Sequence, residues 1–305
     1  MPLRYIGSGP YCYANSLAMV LGAEAPEPAV LEMLTGSPFG MQMADGRTPF
    51  FDPPGWNPGI GLDAAVELLG WTCERGTAGT AARARDRLRD TGPARPLLAG
   101  PVELGLLSHR PASGTAIGAD HFVVVIGADD ETVLFHDPQG HPYATIPVDD
   151  FLAAWRADSI DYPCEPFTMR TDFRRTAHVD TETALRRSLD AARRWLAARD
   201  AGSPGGAAAA AERLAELLET GRLEPWQRDH LVHFAVRVGA RRLADAAVLL
   251  AGIGRGAAAR IAERQARLVG ALQYPLVSGD DAAAAGTLRA LAPTYAHLAD
   301  ALTTA

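Results

Sequence analysis

The residues best suited to nucleophilic chemistry are three cysteines, Cys12, Cys73 and Cys164, of which one stands in a favourable setting. Cys12 lies in Ser8-Gly9-Pro10-Tyr11-Cys12-Tyr13-Ala14-Asn15-Ser16-Leu17-Ala18-Met19-Val20-Leu21-Gly22. Ala14, Leu17, Ala18 and Leu21 follow the i, i+3, i+4, i+7 rule, Pro10 suits the first helical position and Gly22 suits the far end. The spacing predicts a short buried helix with Cys12 in its first turn. There the backbone N–H groups and the positive end of the helix dipole stabilise a thiolate and draw a thiol pKa down from its usual ~8.5. The same N–H groups can donate to an oxyanion. The alternative is an inert buried thiol. Cys73 in Gly70-Trp71-Thr72-Cys73-Glu74 and Cys164 in Tyr162-Pro163-Cys164-Glu165 lack this setting and read as packing residues.

A cysteine nucleophile needs a base, and the base needs a third group to fix its tautomer. Asp120-His121-Phe122-Val123-Val124-Val125-Ile126-Gly127-Ala128 and Thr132-Val133-Leu134-Phe135-His136-Asp137 are β-rich runs flanking a polar turn, which predicts a hairpin. His121 opens the first strand and Asp137 closes the second. An odd loop centred on Asp129 sets them directly opposite on one face, with Cβ atoms ~4.5–5.5 Å apart. An even loop shifts the register by one and sends Asp137 to the other face. The plain reading makes His121 a strand-end polar residue and Asp137-Pro138 a turn former. Strand alternation turns His136 away from the face of Asp137. His109, His141, His178, His230, His233 and His297 show no metal-ligand spacing and no nearby carboxylate cluster, and His230 and His233, three apart on a helix, read as structural.

Two stretches of different texture must position these groups. Residues 1–172 mix helical patterns with β-branched runs and most of the prolines, whereas 173–305 read as helices at 181–200, 208–220, 226–250, 256–273 and 282–303. The expected class is α+β over 1–172, followed by an all-α domain over 173–305. Residues 1–170 hold 11 Arg and 21 acids, and 171–305 hold 18 Arg and 15 acids. The runs Arg186-Arg187, Arg193-Arg194 and Arg241-Arg242 read as solvated helix faces, the alternative being a docking surface for an acidic partner.

All 29 basic residues are arginine, which removes Schiff-base, P-loop and lysine general-base chemistry. That composition, rich in alanine, reads chiefly as the mark of a GC-rich genome. A net charge of −7 argues against a nucleic-acid partner, and no stretch approaches the ~18 apolar residues needed to cross a bilayer. An N-terminus without an apolar signal core predicts a cytoplasmic chain. An odd number of cysteines with no CxxC predicts neither a disulfide framework nor a zinc site.

The order of cysteine on an early helix, histidine opening a strand and Asp-Pro ending the next resembles the papain-like cysteine fold, in particular the branch holding C39-type peptidases. With Leu34-Thr35-Gly36-Ser37-Pro38-Phe39-Gly40, Gly100-Pro101-Val102-Glu103-Leu104-Gly105-Leu106-Leu107 and the helical second half, the chain resembles the butirosin biosynthesis protein H family. The resemblance implies a cysteine-dependent acyltransferase that moves an acyl group from an acyl carrier protein, or another thioester donor, to the amine of a small-molecule acceptor of antibiotic type. Cys12 would carry the acyl group, His121 would move protons and Asp137 would orient His121, with no metal or organic cofactor. Papain-like enzymes usually carry an oxyanion-donating glutamine shortly before the cysteine, and residues 1–11 contain none. Ser8, Tyr11, Asn15 or the backbone N–H groups around Cys12 would have to serve. The alternative is a hydrolase, a peptidase or amidase with the same three residues and water as acceptor; a non-catalytic binding module on the same scaffold is a third reading. Alanine-rich helices leave a homodimer open.

Overall fold

The computed structural model describes residues 11–303. The chain has mixed α+β character and divides into two compact units, one holding the residues up to Pro28 with Gly70–His178, the other Ala29–Leu69 with Val179 onwards. It opens in the first unit with helix α1 (Cys12–Leu21), then passes to the second through α2 (Pro28–Leu34), β1 (Gln42–Ala44), β2 (Thr48–Phe50) and α3 (Pro58–Leu68). It returns to the first unit for β3 (Trp71–Thr77), α4 (Ala81–Arg89), β4 (Leu97–Glu103), β5 (Asp120–Ala128), β6 (Thr132–Asp137), β7 (His141–Pro147), α5 (Val148–Trp155) and β8 (Thr168–Arg175).

These strands form one antiparallel sheet in the order β3-β8-β4-β5-β6-β7. The Phe122–Ile126 run of β5 is buried on both faces, as a continuous apolar strand in a covered sheet must be. Val123 and Val125 pack with Phe135, Phe151 and Trp155 beneath α4 and α5, while Val124 and Ile126 meet Met19 of α1 on the opposite face. Helix α4 starts where the Thr80 hydroxyl accepts from the Arg83 N–H, and Arg87 and Arg89 lie in its last turn, where cations oppose the dipole.

The second unit continues with α6 (Thr181–Leu196), α7 (Gly206–Glu219), α8 (Pro225–His230), α9 (Val236–Gly252), α10 (Gly256–Ala271), α11 (Gln273–Ser278) and α12 (Asp281–Thr303). A π-helical turn, Leu231–Ala235, joins α8 to α9, so the helix expected over 226–250 is not one regular α-helix. Its five-residue spacing rephases the apolar stripe, which a 3.6-residue pattern does not register.

Residues 29–69 group with the C-terminal helices, so the chain is not parted by a single cut at 172/173. The physical reason is a buried charge network. Arg242 of α9 donates from Nε to Glu32 Oε1 at 2.7 Å and from Nη1 to Asp52 Oδ2 at 3.0 Å, with its guanidinium 5.5 Å from the Trp56 ring centre. The Gln42 amide donates to the other oxygen of Asp52 at 2.6 Å. Arg242 is therefore not part of a solvated face, as its pairing with Arg241 in the sequence suggests; it is 5% exposed. Gly36 serves the same junction: at φ 83° it lies against the Trp195 indole, where a Cβ would come within 2.6 Å.

Candidate active site

Helix α1 begins at Cys12, with Tyr11 as an N-cap whose side chain does not cap the helix, and the first ladder bond runs from the Asn15 N–H to the Tyr11 carbonyl at 2.8 Å. The amides of Cys12, Tyr13 and Ala14 thus precede the helical ladder, as at any helix start. Tyr11, Cys12 and Asn15 are all buried, Cys12 to 8% exposure. Ser8 and Pro10 lie outside the described residues.

Two contacts fix this helix on β5. The Ser16 hydroxyl donates to the Phe122 carbonyl at 3.0 Å, and the Tyr13 ring meets the Phe122 ring edge-on at 6.1 Å. Ser16 is about one turn, ~5.4 Å of rise, beyond Cys12, and Phe122 follows His121. The phenol of Tyr162, which donates to Asp120 Oδ2 at 2.9 Å, is pushed well above its ordinary pKa by burial, then by Asp120, with Cys164 and Cys12 adding to the effect. Phe122 is held in turn by Gly100, where a Cβ would lie 2.1 Å from its ring.

The hairpin does not take the directly opposed register. Ala128 faces Val133 and Gly127 faces Leu134 across an even, four-residue turn, which on its own would put His121 and Asp137 on opposite faces. A β-bulge between Val125 and Gly127 inserts Ile126 as an extra residue, after which Val125 faces Phe135 and Val124 faces His136. The bulge restores the parity the turn removes. His121 and Asp137 become diagonal neighbours on one face, and His121 Nε2 meets Asp137 Oδ1 at 2.8 Å.

A carboxylate only accepts, so Nε2 carries the proton and Nδ1 keeps a lone pair. That Nδ1 is buried and has no hydrogen-bond partner among the described residues. Asp137 is fully buried and accepts three further donors: the Gln139 N–H on Oδ1 at 2.7 Å, and His109 Nε2 and Arg110 Nη1 on Oδ2, each at 3.0 Å. Burial alone would raise its pKa, but the hydrogen bonds of His109, His121 and Gln139 together hold it well below the usual carboxylate range. His136 is turned away, accepting the Tyr143 N–H on its Nδ1 at 3.1 Å.

His109, Arg110 and His141 escape a reading of linear spacing. A signal existed in the chemistry: a carboxylate buried at a strand end must gather several donors, and one histidine is not enough. The loop that delivers His109 and Arg110 is tied down by Glu103, 1% exposed, which accepts the N–H groups of Gly105, Ile117 and Gly118, each at 3.0 Å, and the Ser159 hydroxyl. His141 stands opposite Asp137 in the β6–β7 pairing, and the ligand atoms of His109, Asp137 and His141 all lie within 4.8 Å of one another. Cys73 sits in β3, and Cys164 lies in a loop where burial, Asp120 and Asp158 push its thiol pKa up; both are half-buried. His230 bonds the Pro49 carbonyl through Nε2 at 3.0 Å. No described helix is long and apolar enough to cross a membrane.

Residues 199–303 match the model of the YobF C-terminal domain family. Over 163 residues, 52% of this chain, the sequence is 32% identical to the uncharacterized protein YobF of Bacillus subtilis (strain 168). The chain spans about half the length of that curated relative.

Proposed function

We propose that the first unit is a papain-like cysteine domain and that the protein is an acyltransferase acting through an acyl-Cys12 thioester. The observation that carries this reading is the His121–Asp137 pair, bonded through Nε2 at 2.8 Å with Nδ1 left for a thiol proton, at the end of the strand that Tyr13 and Ser16 of α1 contact. Cys12 attacks the donor carbonyl, the donor's carbon–sulfur bond breaks, and the departing thiolate takes a proton from His121. An amine then attacks the thioester, His121 receives the amine proton, and the Cys12 thiolate leaves. The first step exchanges thioester for thioester at almost no cost, and amide formation drives the second. The N–H groups of the first turn of α1 serve the tetrahedral oxyanions. Burial of Cys12 and His121 supports an acceptor delivered by binding rather than bulk water. The donor expected is an acylated carrier protein, and the acceptor an amine-bearing small molecule.

Intact-mass measurement after incubation with an acylated carrier protein or a thioester mimic tests this. Wild type should gain one acyl mass and Cys12→Ala none. An unchanged wild-type mass rejects the mechanism. Loss of the increment in buffer at the same rate with and without amines identifies a hydrolase instead.

A further inference from the structure

We propose that His109, Asp137 and His141 form a binding site for a divalent transition metal of the zinc class, built on the same carboxylate that holds His121. The site rests on the positions of these three side chains and stands whether or not Cys12 is a nucleophile. Two imidazoles and a carboxylate are a ligand set suited to zinc, and three protein ligands leave a fourth position open. His109 Nε2 and Asp137 Oδ2 are 3.0 Å apart, close to the separation of about 3.3 Å between ligand atoms on a tetrahedral ion with bonds of about 2.0–2.1 Å. His141, half-buried, pairs with Asp137 across the strands and lies 5.0 Å from His109 between ring centres.

A second observation sets this cluster apart from an ordinary hydrogen-bonded one. The His109 side chain is 8% exposed, and its Nδ1 is buried with no hydrogen-bond partner among the described residues. An imidazole kept only to brace Asp137 would be expected to satisfy both nitrogens. Here either nitrogen has a lone pair to offer, Nδ1 as it stands and Nε2 once a metal displaces the proton shared with Asp137.

Arg110 defines how the site would work. Its Nη1 lies 3.0 Å from the same Oδ2, and its side chain is 23% exposed, so the guanidinium can withdraw to solvent when an ion arrives. Metal and guanidinium then compete for one oxygen. An ion there also draws charge from Oδ1 and loosens the hold on His121.

The test uses the full chain carrying Cys12→Ser, so that this thiol takes no part. Zinc is titrated in competition with a chromophoric chelator, and cobalt(II) is followed by absorption. One equivalent should bind, with cobalt giving the intense visible bands of a tetrahedral site and no thiolate charge-transfer band. His141→Ala should weaken zinc binding by at least about 100-fold, since even outer partners of metal ligands are worth 10–100-fold. Arg110→Gln should tighten it, a direction that loss of a merely structural ion pair does not produce. His141→Gln, checked by circular dichroism, replaces His141→Ala if the latter unfolds. Equal zinc affinity with and without the His141 imidazole, absence of uptake, or a thiolate band overturns the site. In the wild type, zinc should slow alkylation of Cys12, and slowing that persists in the His141 variant overturns the shared carboxylate.

Discussion

Asp137 carries four donors on two oxygens, from His121, Gln139, His109 and Arg110, and this makes it the most constrained side chain of the candidate site. Its pKa lies below that of the unfolded chain, about 3.9, so the unfolded state binds the extra proton on acidification. The resulting stability is fully present above about pH 4 and is lost as pH falls towards the folded value. Asp137→Asn should therefore melt with a shallower dependence on pH between about 5 and 3 than wild type, as read by thermal denaturation at a series of pH values. The same variant keeps one acceptor oxygen but turns an amide N–H₂ towards two of the four donors, so the proposed acyl transfer should fall, and Asp137→Ala, which removes every acceptor, should lower it further, by up to roughly 10³–10⁴-fold. Retained activity would mean that Asp137 braces the loop alone. The helix start at Cys12, the strand start beside His121 and the strand end at Asp137 were legible in the sequence because each has a local signal. His109 and His141 were not, since they meet Asp137 only through a loop held by Glu103 and through the β6–β7 pairing.

At the scale of elements, the candidate site depends on a β-bulge. Hairpin and strand ends could be read from alternation and turn residues, but a bulge leaves no mark in a run such as Val123-Val124-Val125-Ile126, where every residue suits a buried strand. Deleting Ile126 removes only the unpaired residue, so Val125 should stay opposite Phe135, Asp137 should stay on the face of His121, and the downfield imidazole N–H proton resonance of that pair should persist. Deleting Val123 instead, with bulge and turn intact, should carry His121 to the other face and abolish the resonance; its survival would show that strand parity does not set the pair. Gly100 has a similar positional role, because its missing Cβ is what admits the Phe122 ring beside His121. Gly100→Ala should cost about 1–3 kcal/mol, measured by denaturant unfolding, as overpacking of a filled core does.

At the scale of the whole molecule, helix periodicity fixed the C-terminal elements well, while the membership of residues 29–69 was hidden, because it is settled by pairing across 190 and 210 residues of sequence. Arg242→Ala should cost about 3–5 kcal/mol, since it strands Glu32 and Asp52 in a dry interior, and Arg242→Met with Glu32→Gln and Asp52→Asn should recover much of that. Equal stability of Arg242→Ala and wild type in urea would mean that water reaches the site. Several other arginines of this unit pair with acids on the surface, as Arg186 does with Glu182 and Arg267 with Glu263, and pairs of that kind contribute little.

The alternation of the chain between its units also orders events in time. At 5–20 residues per second, the carboxylates of Glu32 and Asp52 leave the ribosome roughly 10–40 s before the guanidinium that neutralises them is made. The first unit receives its last residue, His178, while those acids still wait. Synthesis should therefore pass through a stage in which the sheet and its histidine–aspartate pair are complete while residues 29–69 are still solvated, tethered between two parts of a finished fold. Nascent chains stalled near residue 210 should then be cut by protease within 29–69 and protected over 120–137.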